Sequence, residues 1–309
     1  MSEIKINTLS EYIEQICALN KSLIKYGPVK NEVMLFRGQA DTSFELMPAI
    51  GRGRKTSMDV TLFLEERNLI EMAKYRLPDV FGKDLQPLEL LALLQHHGIP
   101  TRLLDITENA LVALYFACCS HEDKDGEVFI FVTDETDITN YPITNAIADS
   151  YRFAGSSFRP LRKFLDAAQK QPYFLEFTSG QSILPEEKGT WVKECCDKLF
   201  YVYAPIRSLR QRVQRGRYIL FPNKIRFLEI SGEYVFESMI DPINKDHPDI
   251  RGRIKIPSTI KNKLISELEL FGISKDALFC DNIDTICEKI TNISMKRIGD
   301  ISNWSGEDV

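Results

Sequence analysis

Apolar residues recur at helical spacing in five stretches of the chain. The first predicts an N-terminal amphipathic helix that ends at Gly27-Pro28, and its apolar residues are Ile13, Ile16, Leu19, Leu23 and Ile24. Further helices are predicted at residues 57–76, 88–97, 258–271 and 283–293. Pro87 suits a first helical position, and Gly98 followed by Pro100 ends a helix, so the segment 88–97 has both of its ends marked.

Apolar runs of about four to eight residues predict the strands. They lie at residues 33–36, 101–105 and 126–133, and three more follow between Phe200 and Ser231. Strands mixed with helices in this way predict an α+β fold, with a mixed β-sheet core and helices at the N- and C-terminal ends.

We expect one domain over residues 1–293. The apolar pattern weakens between residues 134 and 190, which indicates an insertion or a lid over the core. Residues 294–309 are expected to form a flexible C-terminal tail.

The composition is that of an ordinary globular protein, with 44% hydrophobic and 27% charged residues in a chain of 309. The longest apolar run, residues 110–119, is too short to cross a bilayer, and the first residues lack the apolar core of a secretory signal. We therefore expect a cytoplasmic protein with no membrane partner. Seven cysteines, an odd number without regular spacing, suit reduced thiols rather than disulfides.

The histidines do not predict a metal site. Only four are present, and the adjacent pair His96 and His97 would point about 100° apart on a helix, which disfavours chelation of one ion. His97 falls at the predicted helix end, where the helix dipole favours it structurally. The alternative is that His97 hydrogen-bonds a ligand.

The segment from residue 94 to residue 117 concentrates polar side chains between two stretches of predicted core. A helix, a turn, a strand and a second helix follow closely, so the polar residues are expected to cluster: Gln95, His96, His97, Arg102, Asp105, Thr107, Glu108 and Asn109. A strand end that leads into a helix start leaves backbone N–H groups unpaired, which suits an anion or a sugar hydroxyl. Asp105, Thr107 or Asn109 could instead cap the second helix.

Arg37 and Gly38 follow the predicted strand at 33–36. Gly38 lets the chain turn and lets another group approach the backbone closely. Two interpretations of Arg37 are open: it binds a ligand, or it pairs with a carboxylate such as Asp105 and joins two strands.

Basic residues are concentrated although the net charge is −5. One group around Gln214 consists of Arg207, Arg210, Arg212, Arg215, Arg217, Lys224 and Arg226, and Arg159, Arg162 and Lys163 form a second. Such clusters hold phosphates, and beside a pocket at 95–109 they favour a dinucleotide or a nucleic-acid end over an apolar metabolite. The alternative is a solvated basic face with acidic neighbours such as Glu229 and Glu233. The acidic net charge does not indicate a long duplex partner.

Four motifs, in this order, resemble the FRG domain family, which is found mostly in bacterial and phage-linked proteins. They are FRG at 36–38, QHHGIPTRLLDIT with LVALYFA between 95 and 117, QRGRYILFP at 214–222 and LFCDNID at 278–284. The resemblance runs from about residue 10 to residue 293, which is almost the whole chain.

The same order of features is more distantly similar to the ADP-ribosyltransferase fold. In the arginine-type members of that family, an Arg on the first strand holds NAD, a Ser or Thr supports the nicotinamide ribose, and a late Glu stabilises the ribosyl cation. By motif, Arg37 matches the first of these, Thr107 or Thr101 matches the second, and Gln214 stands in place of the third.

The Gln in place of Glu matters for mechanism. Cleavage of the nicotinamide bond places positive charge on the ribose, which a carboxylate stabilises better than a neutral amide. Asp105, Glu108 and Glu229 are the candidates for the missing negative charge. In this reading Gln214 and Arg217 face the same ligand as Arg37.

The resemblance implies a set of site residues. The catalytic group is Arg37, Thr107, Gln214 and Asp105. The residues expected to contact the nucleotide, with NAD as the cofactor, are Arg37, Gly38, Gln39, His97, Thr101, Arg102, Asn109 and Arg217.

The function implied is nucleotide binding, with an NAD-using activity like that of an ADP-ribosyltransferase or NAD glycohydrolase, in bacterial or phage defence. Its target would be a protein or a nucleic acid. The alternative is a non-catalytic module that recognises a nucleotide, a nucleic-acid end or a protein partner through the same pocket, and Gln214 favours it. A nuclease is disfavoured because the sequence has no clustered Asp/Glu/Lys metal motif.

Overall fold

The computed structural model describes residues 4–24, 32–52, 65–82, 85–134, 142–153, 158–159, 170–177, 198–205, 209–222, 224–230 and 233–279. Its strands are β1 (Ile4–Lys5), β2 (Glu32–Gln39), β3 (Leu103–Thr107), β4 (Gly126–Asp134), β5 (Phe158–Arg159), β6 (Phe200–Val202), β7 (Gly216–Leu220), β8 (Lys224–Ile230), β9 (Glu233–Met239) and β10 (Ile250–Ile256). Its α-helices are α1 (Leu9–Leu23), α2 (Glu66–Arg76), α3 (Pro78–Phe81), α4 (Pro87–His96), α5 (Ala110–Cys118), α6 (Pro142–Ala148), α7 (Ser150–Phe153), α8 (Pro172–Phe177), α9 (Leu209–Gln214), α10 (Lys261–Leu270) and α11 (Lys275–Leu278).

Seven strands form one mixed sheet in the order β1-β10-β4-β2-β3-β7-β6. The pair β1 and β10 is parallel, and the other neighbouring strands are antiparallel. The strands β5, β9 and β8 form a separate antiparallel sheet. The prediction of an α+β fold with a mixed sheet is therefore confirmed.

One face of the large sheet packs against α1, α5 and α10. Buried residues of this core include Phe36, Val128 and Ile254 from the strands and Val112 and Leu264 from the helices. The β2 backbone approaches α5 so closely that a Cβ atom built on Gly38 would lie 1.9 Å from the carbonyl oxygen of Ala113. Gly38 therefore serves the packing of α5 on β2, and it lies inside the strand rather than at a turn.

The other sheet face packs against irregular chain from two regions. Leu35 and Phe129 on the sheet contact a buried group that includes Leu46, Ile50 and Ile243. A third core joins α2, α4 and α6 to the ends of β3 and β7. The candidate site lies at the centre of the large sheet, where these three hydrophobic cores meet.

The predicted helices are mostly present, with differences in detail. The helix α4 begins at Pro87 and ends at His96, as its boundary signals indicated. The helix α1 is confirmed, but Leu9 and Tyr12 are its buried residues, and Ile13 is 40% exposed. The prediction at 258–271 corresponds to a short 3₁₀ turn, Ser258–Ile260, followed by α10. The helix predicted at 283–293 and the residues 57–64 lie outside the described residues.

Two strands differ from their predicted bounds. The strand β2 extends to Gln39, so Arg37 lies within a strand rather than after one. The strand β3 begins at Leu103 instead of 101, and the Leu103 amide donates a hydrogen bond to the hydroxyl of Thr101, which lies before the strand. The strand β10 was not predicted, although its buried residues alternate along the chain.

The segment proposed as an insertion or lid, 134–190, is described only in part. Within it, α6 is buried throughout, and Ile143, Ile147 and Tyr151 belong to the core around α4. The lid interpretation stays a prediction for the rest, and the proposed tail at 294–309 lies outside the described residues. Among the described helices, none combines the length and the apolar character needed to span a bilayer.

Candidate functional site

A pocket opens beside the junction of β2 and β3. The register joins these two strands at a single residue pair, Phe36 with Thr107, and the cavity next to this pair has a volume of about 360 Å³. Residues of β2, β3, α4, α5, α9 and β7 line it, and we call it the β2–β3 pocket. The expected meeting of Arg37 with the 95–109 segment occurs here, since Arg37, Gln95, Asp105 and Thr107 share the lining.

Arg37 is held in this pocket by the backbone of β3. Its Nη1 donates to the main-chain carbonyl of Asp105 at 2.5 Å, so Arg37 joins the two strands through the Asp105 backbone and not through an ion pair with the carboxylate, which was one of the two alternatives. Burial lowers the pKa of Arg37, Asp105 opposes this effect and the positive charge of Arg52 adds to it, and together they bring the pKa to about 10. The Arg37 Nε is buried, and it has no hydrogen-bond partner among the described residues.

Arg52 is a second cation of the pocket, and sequence reasoning did not single it out. Its Nε and Nη2 both donate to the Met47 carbonyl, at 3.3 Å and 3.1 Å. Within the part of the chain that the structure describes, neither Arg37 nor Arg52 forms an ion pair with a carboxylate. Two guanidinium groups therefore face one cavity, each fixed by a backbone carbonyl.

Asp105 is the carboxylate of the pocket and belongs to a short hydrogen-bonded chain. The Thr101 hydroxyl donates to Gln95 Oε1 at 2.5 Å, and Gln95 Nε2 donates to Asp105 Oδ2 at 3.0 Å. Thr101 is buried and does not line the cavity. Its place in the site is therefore to orient the Gln95 amide, which in turn orients Asp105.

Thr107 and Gln214 line the pocket but already have protein partners. The Thr107 hydroxyl donates to the Gln214 carbonyl at 2.6 Å and accepts from the Asn109 amide at 2.9 Å. Gln214 Nε2 donates to the Leu278 carbonyl at 3.0 Å. These hydrogen bonds connect β3, α9 and α11, and they leave less of the hydrogen-bonding capacity of Thr107 and Gln214 for a ligand.

Gln39 lines the same pocket from β2, two residues after Arg37. Its Nε2 donates to the Glu45 carbonyl at 3.1 Å, and its Oε1 is buried without a partner among the described residues. Gly38, between them, also borders the cavity, but α5 occupies the space next to its Cα.

Three residues expected to contact the nucleotide have structural positions outside the pocket. Arg102 is buried and forms an ion pair with Glu66, through Nε to Oε1 at 2.8 Å and a second contact from Nη2 to Oε2. Asn109 is the N-cap of α5, where its side chain accepts from the Leu111 amide. His97 is exposed after α4 and packs edge-on against Phe81. None of the three lines the β2–β3 pocket.

Arg217 also lies away from Arg37. Alternation along β7 directs Tyr218 to the β2–β3 pocket and Arg217 to a second cleft of about 800 Å³ between α1 and β2, which we call the α1 cleft. There Arg217 pairs with Glu108 and stacks 3.3 Å from the centroid of the Tyr203 ring. The structure therefore does not bring Arg217 and Arg37 to one pocket, and Glu108 lies with Arg217 in the α1 cleft.

The basic run around Gln214 is divided between several environments. Arg210 lines the β2–β3 pocket, Arg215 lines the α1 cleft, and Arg212 is exposed. Arg207 lies outside the described residues. Glu229, the remaining candidate carboxylate, lies on β8 of the separate three-stranded sheet.

Tyr218 and two phenylalanines complete the lining. Burial, with the negative charge of Asp105, raises the pKa of Tyr218 to about 12, so the hydroxyl stays protonated. The Tyr218 hydroxyl oxygen accepts a hydrogen bond from Gln211 Nε2 at 2.8 Å, so the hydroxyl can still donate its own proton to a ligand. Phe44 and Phe116 provide aromatic surface. Tyr218 was in a predicted strand, and only the pairing of β7 with β3 shows which way it faces.

The model of the FRG domain family matches residues 32–126 of the chain. This range carries Arg37, Gln95, Asp105 and Thr107, and the chain therefore contains an FRG domain whose residues form one side of the pocket. No curated protein and no solved structure matches the chain. The wider FRG resemblance, to about residue 293, stays a prediction, and the more distant ADP-ribosyltransferase resemblance is not confirmed.

Proposed function

For a chain that contains an FRG domain, we propose that the β2–β3 pocket binds a nucleotide, with a phosphate group held by Arg37 and Arg52. The observation that carries this proposal is the pair of guanidinium groups facing one cavity. The positive charge of Arg52 lowers the pKa of Arg37, so the two groups repel each other, and an anion between them removes the repulsion. Guanidinium groups also match phosphate oxygens in a two-pronged geometry.

The other lining residues support a nucleotide over a simple anion. Phe44 and Phe116 offer aromatic surface for a base, since stacking on such rings tolerates any base. Gln95, Asp105 and the Tyr218 hydroxyl offer acceptors and donors for ribose hydroxyls. Counting the charged side chains of the described lining, three arginines face one carboxylate, so the pocket favours a negatively charged ligand.

NAD is the nucleotide that we propose as the first candidate, and the distant resemblance to the ADP-ribosyltransferases supports it. Asp105 would then be the carboxylate beside the ribose, because Glu108 lies in the α1 cleft. From the resemblance to the FRG domain family, we extend the proposal to a role in bacterial or phage defence. The second candidate function is a non-catalytic nucleotide receptor, which the bond from Gln214 to Leu278 favours, because that amide is already used by the protein.

The test is a calorimetric titration of the purified chain with AMP, NAD and adenosine. AMP and NAD are expected to bind, and adenosine is expected to bind more weakly because it offers no anion to Arg37 and Arg52. The affinity for AMP should also fall as salt concentration rises. Equal affinity for adenosine and AMP, or no binding of any of them, would contradict the proposal.

A further inference from the structure

Phe279 lies behind the β2–β3 pocket and contacts two residues that line it. The guanidinium carbon of Arg210 lies 4.6 Å from the centroid of the Phe279 ring. The rings of Phe116 and Phe279 meet edge-on, with centroids 6.1 Å apart. Phe279 itself is not part of the lining. Its ring therefore reaches the pocket through Arg210 and Phe116.

The turn that carries Phe279 is fixed in place. Leu278 is completely buried, and its carbonyl accepts the hydrogen bond from Gln214 Nε2 at 3.0 Å. The preceding helix α11 is capped by Ser274, whose side chain accepts from the Ala277 amide at 3.2 Å. Hydrogen bonds and burial thus hold the chain just before Phe279, and the guanidinium group of Arg210 lies over its ring.

Arg210 stands apart from the Arg37–Arg52 pair. Arg37 lies on β2, whereas Arg210 lies on α9, which leads directly into β7, and β3 lies between β2 and β7 in the sheet. Asp105 and Tyr218, which are paired between β3 and β7, therefore lie between the two cationic ends of the pocket.

We propose that Phe279 is a positioning residue that directs Arg210 at a second phosphate of the bound nucleotide. The pocket then takes nucleotides with more than one phosphate, with one anionic group at Arg37 and Arg52 and another at Arg210. This inference rests on the proposed nucleotide binding. It also places part of the specificity outside residues 32–126, at Arg210 and Phe279.

The experiment compares the affinities for AMP and ADP in wild type and in the variants Phe279→Ala, Phe279→Tyr and Arg210→Ala. Wild type is expected to prefer ADP. Phe279→Ala should weaken ADP binding roughly 2- to 30-fold, the range of a cation–π contact, and weaken AMP binding less, because AMP has no second phosphate for Arg210. Phe279→Tyr keeps an aromatic face and should retain the preference. Phe271→Ala is the matched control, since Phe271 is 62% exposed and does not line the pocket.

A double-mutant cycle separates positioning from general support of the fold. If Phe279 acts through Arg210, Phe279→Ala combined with Arg210→Ala should bind ADP no more weakly than Arg210→Ala alone. Equal losses for AMP and ADP in Phe279→Ala, additive losses in the cycle, or no loss at all would overturn the inference. Failure of wild type to bind either nucleotide would instead overturn the proposed function.

Discussion

Arg102 and Glu66 form a buried ion pair that joins the residue before β3 to the first residue of α2. The guanidinium Nε lies 2.8 Å from Glu66 Oε1, and the exposed fractions of the two side chains are 1% and 5%. Arg102 belongs to the polar segment that the sequence assigns to a ligand. In the structure it lies within the core, where a charge is tolerated because its partner is buried with it.

Loss of Arg102 should therefore affect stability rather than binding. Arg102→Ala leaves the Glu66 carboxylate buried without its partner, and we expect the free energy of unfolding to fall by about 3–5 kcal/mol. Urea unfolding measures the change. The double variant Arg102→Met with Glu66→Leu should recover much of the loss, because neither charge is then left unpaired. A fully stable Arg102→Ala variant that no longer binds AMP would return Arg102 to the binding site.

Arg37 should show the opposite behaviour. Arg37→Ala removes one hydrogen bond to the Asp105 carbonyl, so the free energy of unfolding should fall by only about 1 kcal/mol. The affinity for AMP should fall roughly ten-fold or more, because a charge-assisted contact to phosphate is lost. Arg37→Lys keeps the charge without the planar donors and should bind with intermediate affinity.

Calorimetry and thermal unfolding on the same Arg37 samples decide between the two interpretations. Early melting of Arg37→Ala together with unchanged AMP affinity would make Arg37 a structural residue of the β2–β3 junction.

The sequence predicts the half of the pocket that lies within one continuous segment. Gln95, Asp105 and Thr107 stand out because they are polar residues placed between apolar runs, and short connections force them together. The same reasoning misplaced Arg102, because a buried arginine with a distant carboxylate has the same local pattern as an arginine that binds a ligand. Glu66 is 36 positions away in the chain, and no local pattern pairs it with Arg102.

The other half of the pocket depends on strand pairing and on long-range packing. The alternation along β7 separates Tyr218 from Arg217, but which of the two faces Arg37 depends on the register between β7 and β3. Arg52 and Phe279 each follow directly on a short helix, the 3₁₀ helix Ala49–Gly51 and α11, and apolar periodicity gives no signal for helices of three or four residues. The sequence indicates that Gly38 permits a close approach to the backbone, but only the tertiary structure shows that α5 is the element that approaches.

Gly38 offers a test of that reason. A Cβ on Gly38 would lie 1.9 Å from the Ala113 carbonyl oxygen, so Gly38→Ala must displace α5, and we expect a loss of about 3 kcal/mol or more in the free energy of unfolding. Gly98 is the matched control: its φ is +82°, but nothing lies within 4 Å of an added Cβ. Gly98→Ala should cost about 1–2 kcal/mol, the strain of a left-handed residue. A Gly38→Ala variant less destabilised than Gly98→Ala would show that α5 does not depend on Gly38.

Asp149 should make stability depend on pH. Burial raises its pKa from 3.8 to about 6, although Arg152, at 2.6 Å from Oδ1, and the Tyr173 hydroxyl oppose the shift. A carboxyl with a raised folded-state pKa favours folding when protonated. Its contribution is complete below pH about 4 and is lost as the pH rises through about 6, with a size of at most about 3 kcal/mol.

The measurement for Asp149 is the free energy of unfolding of wild type and of Asp149→Asn between pH 4 and pH 7. Wild type should lose stability relative to the variant across this interval, because the amide does not ionise. A difference between the two proteins that is independent of pH would show that the Asp149 carboxyl does not titrate in this range.

The final prediction concerns whether the pocket cleaves NAD, and it compares two residues. Asp105 is the carboxylate of the described lining, held by Gln95. Asp105→Asn should lower the rate of nicotinamide release from NAD about a hundred-fold, the usual effect of removing one electrostatic contact to a transition state, with AMP affinity nearly unchanged. Gln214→Glu should not raise that rate. A glutamate cannot donate to the Leu278 carbonyl, and the change should cost about 1–3 kcal/mol of stability.

Asp105 lines the pocket with its carboxylate held by Gln95, whereas the Gln214 amide is bound to Leu278, so the rates of nicotinamide release in the two variants test different points. A release rate that Asp105→Asn leaves unchanged would remove Asp105 from the chemistry. A rate that rises in Gln214→Glu would show that this side chain leaves Leu278 and faces the ribose, contrary to its position here. If wild type binds nucleotides but releases no nicotinamide from NAD, the pocket is a receptor site. The arginines then contribute to binding of the phosphate without contributing to cleavage of the glycosidic bond.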